Sequence, residues 1–339
     1  MRDFGCLIEA VQHNCNVADA RHAREATLCT YLLQMRELFR WEHEMPLSAQ
    51  PPREELSRWL TEREEQWSTI ADGRYEPLPL EGRRYDAFEA PALNRALLGR
   101  GLVYGAGYGR FHRPHFFLAE LERSERRGGV DVLVCGCEFA RDAAGAPAAL
   151  QRDTVYVRRD ALRRWLWEKI ELWQARRGQG ALQRALEGWN FAADAEAAFE
   201  RMVEAETETA ILHELGEARA AEMLGPAWEE MLEALQDRRA ELLARAVRDH
   251  LADCLSTLPA LLGRDAQASI HFYFSQLDGM RRELFPALVA AYGAWCSTGG
   301  AEPLRSAIRD GARHWEHTAR ELPSGGIRAG LGDTAALSI

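Results

Sequence analysis

Apolar residues recur at helical spacing between Val17 and Glu44, at Leu28, Tyr31, Leu32, Met35, Leu38 and Phe39, with no Gly or Pro among them. This predicts one long amphipathic helix. Pro46, Pro51 and Pro52 end it, and Pro52 opens a second helix over 53–70 with Glu54 and Glu55 in its first turn. Residues 71–100 show no regular period. From Gly101 the pattern changes: Leu102, Tyr104, Ala106 and Tyr108 alternate, and apolar runs at 116–122 and 130–139 flank Arg126-Arg127-Gly128-Gly129. These read as a strand followed by a hairpin, with 154–157 as a further strand. Asp160 then opens a helix with Leu162, Trp165, Leu166, Ile170 and Trp173 on one face. Helices are expected near 194–223, 226–261, 267–295 and 301–321, punctuated by Gly225-Pro226, Pro259, Gly263 and Gly299-Gly300.

The fold class expected is therefore mainly α with a small inserted antiparallel β-sheet (α+β). A helical N-terminal part spans 1–190 with the sheet at about 101–158, a helical bundle spans 191–322, and a flexible tail spans 323–339. At 339 residues the chain is too long for one ordinary core, and 47% hydrophobic with 28% charged residues excludes a wholly disordered chain.

The 42 basic and 52 acidic residues give a net charge of −10, which opposes unspecific adsorption to nucleic acid or anionic lipid. Lys169 is the sole lysine, so the abundant arginine reflects GC-rich codon usage before it reflects phosphate binding. No stretch approaches the roughly 20 apolar residues that span a bilayer, and the first ten residues lack a secretory pattern. A cytoplasmic protein is expected, with no membrane association. Seven scattered cysteines without a CxxC pair indicate neither a disulfide framework nor a zinc ribbon. Gly105, Gly107 and Gly109 form GxGxG without a surrounding βαβ unit, and no nucleophile elbow or P-loop is present.

The informative residues are polar ones on apolar helix faces. At about 100° per residue, His213, Glu217 and Leu224 fall within about 20° of Glu206. A carboxylate buried on such a stripe needs a cation, a proton or several hydrogen bonds. On the next helix the line through Trp228, Leu235, Leu242 and Ala246 continues to Asp249 and Asp253, with His250 about 60° aside. His271 shares an apolar stripe with Asp278 and Phe274 on the third. If these helices pack antiparallel, Glu206, His213, Glu217, Asp249, His250, Asp253 and His271 are the candidate metal ligands, and the donor types suit Fe, Mn or Zn. The leading expectation is a metal-dependent enzyme with a carboxylate/histidine centre and a small-molecule substrate, such as a di-iron or di-manganese oxidoreductase. The alternative is a non-catalytic interaction protein, with a protein partner or a second copy. In that case Arg245, Arg248, Arg281 or Arg282 would neutralise the same acids.

His213-Glu214-Leu215-Gly216-Glu217 resembles the HExxH start of zincin metallopeptidases, with Glu217 standing where the second histidine would be. The resemblance implies His213 and Glu217 as zinc ligands, Asp249 or Asp253 as a third, and Glu214 as general base on a zinc-bound water. Together with Leu32-Leu33-Gln34-Met35-Arg36-Glu37 and Arg248-Asp249-His250-Leu251-Ala252-Asp253-Cys254, this stretch also resembles a functionally uncharacterised bacterial protein family of similar length. That likeness implies a cytosolic protein and no particular activity.

Overall fold

The structure is a computed structural model that describes residues 4–176, 178–323 and 337–339. The chain is mainly α-helical, and its strands form a two-stranded and a five-stranded sheet. It divides into two compact units: residues up to Glu125, Val132–Gln151 and Tyr156–Ile170 in one, and Arg126–Asp131, Arg152–Val155 and Glu171 onward in the other. One of the boundaries between the units falls at 170/171, inside a helix. No described helix is long and apolar enough to cross a membrane.

In the first unit, α1 (Gly5–His22) and α2 (Leu28–Glu42) replace the single helix expected over 17–44. The break is local chemistry: Thr27 adopts extended backbone and its Oγ1 accepts the Thr30 N–H at 3.2 Å, so a new helix starts there. After α3 (Arg53–Ile70) the aperiodic segment contains an antiparallel pair, β1 (Leu78–Leu80) with β2 (Arg83–Tyr85), and α4 (Ala90–Leu97). The larger sheet runs in the order β3 (Leu102–Tyr108), β4 (Pro114–Arg127), β5 (Val130–Arg141), β7 (Thr154–Arg158), β6 (Ala148–Gln151). Gly128 and Gly129, at φ of 57° and 88°, form the two-residue β4–β5 turn, whose twist needs two left-handed residues.

Side-chain amides finish what the strands leave open. Asn94 donates to the Tyr104 carbonyl and accepts its N–H, both at 2.8 Å, and Asn14 does the same for Glu76. Buried Arg158 meets Glu138 at 2.5 Å and Asp142 at 3.6 Å, Arg141 meets Glu138 at 3.3 Å, and Asp19 accepts the Ala143 N–H at 2.9 Å.

From Glu171 onward the second unit is helical. It begins in α5 (Arg159–Arg176) and continues through α6 (Ala181–Gly188), α7 (Ala195–Leu224), α8 (Pro226–Ala234), α9 (Arg238–Ala252), α10 (Leu258–Gly263), α11 (Gln267–Gln276), α12 (Gly279–Leu284), α13 (Pro286–Thr298) and α14 (Glu302–Glu321). Two expected long helices are broken for identifiable reasons. Asp237 caps Ala240 and restarts the chain as α9. Between α9 and α10, Asp253–Thr257 widens to a π-turn in which the Leu258 N–H reaches the Asp253 carbonyl. Pro259 has no N–H to give the Leu255 carbonyl four residues back, and Arg219 on α7 supplies that donor at 3.2 Å. Pro286 pushes Phe285 out of the helical region and separates α12 from α13.

The core of this unit is built from Trp228, Leu243, Val247, Leu251, Ile270, Phe274, Phe285, Leu288 and Trp315. The flexible tail expected over 323–339 lies outside the described residues apart from Pro323 and 337–339. Ile339 exchanges backbone hydrogen bonds with Leu284 and Ala287 at 3.1 and 3.0 Å.

Gly216 fixes how closely α7 and α9 approach. A Cβ there would stand 2.4 Å from the Ala252 carbonyl oxygen, which is backbone and cannot swing aside. Gly216→Ala should therefore destabilise the protein by about 1–3 kcal/mol. Gly293→Ala, at a helical position with nothing within 4 Å, should be neutral or stabilising by about 0.5–1 kcal/mol. Denaturant midpoints of the two variants check the contrast; equal shifts would mean that the helices are not in this contact.

Glu206 on α7 is buried, and burial pushes its carboxyl up to about 8, despite hydrogen bonds to Ser269 and Thr209. The folded state thus keeps a proton that an unfolded glutamate releases near pH ~4.3. The resulting stabilisation is full below that pH and is lost as pH rises towards about 8. Glu206→Gln, which carries no charge at any pH, should flatten the fall in melting temperature between pH 5 and pH 8.5. Parallel profiles for variant and wild type would show that Glu206 is ionised in the fold.

Candidate metal centre

α7 carries His213 and Glu217 one turn apart, with Gly216 between them allowing α9 to lie alongside. Opposite, the end of α9 brings Asp249, and the π-turn brings Asp253. One ligand atom from each of His213, Glu217 and Asp249 lies within 4.8 Å of the other two.

Each member of this group is held differently. His213 Nδ1 is 2.8 Å from Asp253 Oδ1, and its Nε2 is 3.6 Å from Glu217 Oε1, too long for a hydrogen bond. Asp253 is saturated: Oδ1 also accepts from Thr257 at 2.9 Å, and Oδ2 accepts from the Tyr273 hydroxyl at 2.9 Å and from Arg281. Glu217 Oε1 accepts from Arg248 at 2.6 Å. Asp249 is the exception. Among the described residues no hydrogen-bond donor reaches its carboxylate, and its ion pair with Arg248 is long, at 3.9 Å.

The electrostatics follow from these contacts. Burial works against charge on His213, but Asp253, by charge and hydrogen bond, raises it well above the ordinary imidazole value, with Glu217 assisting. Burial also opposes ionisation of Glu217, yet Arg248 and then His213 hold it down at about 2. Asp253 is depressed further, against its burial, by His213 and Arg281. Asp249 moves the other way: desolvation raises it and Glu217 adds to the rise, while Arg281, His213 and Arg248 only partly compensate.

Three residues expected among the ligands are elsewhere. Glu206 faces Ser269 and Thr209, two turns before His213. His250 points to the other side of α9: its Nε2 donates to the Arg281 carbonyl at 2.9 Å, its ring stacks on Trp315 at 4.9 Å, and burial followed by Arg281 lowers it to about 3. The 60° offset read from the sequence was enough to turn it into the core. His271 binds the Tyr292 hydroxyl at 2.9 Å and lies against Trp295, because the break at Pro286 makes α13 its neighbour. Glu214 is buried, and its charge acts on Arg248. The sequence reading missed Thr257 and Tyr273 as supports of Asp253. Gly216 was a usable signal, since a glycine inside a helix costs stability and marks a close approach.

No curated protein and no solved structure matches the chain. Residues 6–158 match the N-terminal domain model, and residues 163–330 the C-terminal domain model, of one family of unknown function, DUF6866, and with both of its domains present the chain belongs to that family.

Proposed function

We propose that the protein is a metal-dependent enzyme whose C-terminal unit binds one divalent ion through His213 Nε2, Glu217 and Asp249. The observation that carries this reading is Asp249, a buried carboxylate to which no described residue donates a hydrogen bond, beside a ring nitrogen and a second carboxylate within 4.8 Å. One imidazole and two carboxylates suit Mn(II) or Fe(II), and accommodate Zn(II). Three protein ligands leave positions for water and for a small-molecule substrate, so the ion would act as a Lewis acid and lower the pKa of bound water. Glu214, one residue from a ligand, is the general base in this scheme. A two-ion centre would need more carboxylates than converge here. The seven free cysteines fit a reducing, cytoplasmic setting.

A second reading is favoured by Arg248 and Arg281, which already pair with Glu217 and Asp253. With His213 protonated, these cations could lock the bundle of a non-catalytic interaction protein without any metal. The two readings differ in stability towards metal. An ion bound only by the folded state at one hundred times its Kd adds about 2.7 kcal/mol, and an arginine network adds nothing. Melting of metal-free protein should rise on adding Mn(II), Fe(II) or Zn(II) and fall back with chelator, and His213→Ala should abolish the response. Identical melting under all three conditions would favour the ion-pair network.

Metal content of variants gives a second check. His213→Ala, Glu217→Gln and Asp249→Asn should lose the ion, whereas Glu214→Gln, Glu206→Gln and His271→Ala should keep a full equivalent. Loss of metal from Glu214→Gln would make that residue a ligand and remove it as the base.

A further inference from the structure

We infer that Asp253 is a positioning residue of this centre: it fixes the ring of His213 with hydrogen on Nδ1 and so presents Nε2 to the ion. The inference rests on the metal reading above and gives Asp253 a different part from the ligand role that its place on the acidic stripe suggests. Both carboxylate oxygens are fully engaged, Oδ1 by His213 and Thr257 and Oδ2 by Tyr273 and Arg281. A carboxylate accepting four hydrogen bonds has no lone pair left facing an ion, and turning it to bind one would leave buried donors unmet. Asp249, by contrast, accepts none from the described residues.

The backbone holds Asp253 in this role. Asp253 keeps the helical register of α9, its N–H bonded to the Asp249 carbonyl four residues back, and meets His213 at Nδ1; the π-turn over Asp253–Thr257 begins at this residue. Thr257 lies at the end of the same turn and reaches back to Oδ1 at 2.9 Å. Tyr273 comes from α11 and Arg281 from α12, so two further helices besides the π-turn hold the carboxylate that fixes the imidazole. A ring tied at one nitrogen to a carboxylate is more basic at the other and loses little freedom when a metal binds there.

The test uses the full chain with Co(II) and Zn(II) as probes. Asp253→Asn should still bind one ion, about 10- to 100-fold more weakly than wild type. Its Co(II) absorption should keep the wild-type coordination number. Long-range proton–nitrogen NMR of the metal-free protein, at a pH where His213 is neutral, should show the Nδ1–H tautomer in wild type and a mixture or the opposite tautomer in Asp253→Asn. Tyr273→Phe, which removes one donor and leaves the carboxylate in place, should weaken binding by a few-fold with the tautomer preserved, and it carries the test if Asp253→Asn does not fold. Wild-type affinity in both variants, an unchanged tautomer in Asp253→Asn, or a Co(II) spectrum that has lost an oxygen ligand would each overturn the assignment. Failure of wild-type protein to bind either ion would instead overturn the metal reading itself.

Discussion

Burying charge between α7 and α9 is the constraint on which the second unit depends. Gly216 removes the side chain that would hold the helices apart, and its neighbours His213 and Glu217 are thereby pressed against Asp249 and Asp253. Ions removed from water must be compensated within a few ångströms, because breaking one partner of such a group costs far more than the group contributes as a whole. The surrounding architecture supplies the compensation: α12 exists as a separate short helix that delivers Arg281, and the C-terminal end of α9 carries Asp253 to the histidine.

The charges almost close without help. Glu217, Asp249 and Asp253 face Arg248, Arg281 and a protonated His213. Closure by number is not closure by geometry, however. Glu217 and Asp253 have short contacts, while among the described residues Asp249 has only the long one to Arg248 and is raised by its desolvation. A divalent ion in the space shared by Nε2, Glu217 and Asp249 would replace the imidazole proton at Nε2 and supply the contact that Asp249 lacks.

Much of this was legible in the sequence and some was not. The angular position of His213 and Glu217 on α7, and of Asp249 and Asp253 beyond it, follows from 3.6 residues per turn and needs no partner. What a residue meets across the interface depends on where neighbouring helices start and stop. Those boundaries were set by single contacts: the Thr27 and Asp237 caps, the missing N–H of Pro259 and the displacement at Phe285. Treating 267–295 as one helix placed His271 with the acids; the break at Pro286 instead folds α13 back so that Tyr292 and Trp295 meet it. The β4–β5 hairpin was readable because Gly-Gly between apolar runs has few other uses, whereas α4 and the β1–β2 pair are too short to show a period.

The first unit sharpens the distinction between a buried network and a site. It also encloses acids and arginines, with Glu138, Asp142, Arg141 and Arg158 all buried. There, Glu138 lies between two arginines, Asp142 accepts the Gly145 N–H at 2.6 Å, and Asp19 accepts that of Ala143. Every carboxylate in that group has a backbone donor or a guanidinium close by, and the Arg158 guanidinium also covers the Phe117 ring at 4.5 Å. Arginine and backbone N–H groups together thus hold a buried acidic cluster in this chain, with one oxygen each of Glu138 and Asp142 accepting no hydrogen bond from the described residues. That Asp249 is left incomplete beside a histidine oriented by its own carboxylate, with Arg248 and Arg281 both near enough to have been used, makes the second cluster a candidate for chemistry as well as for stability.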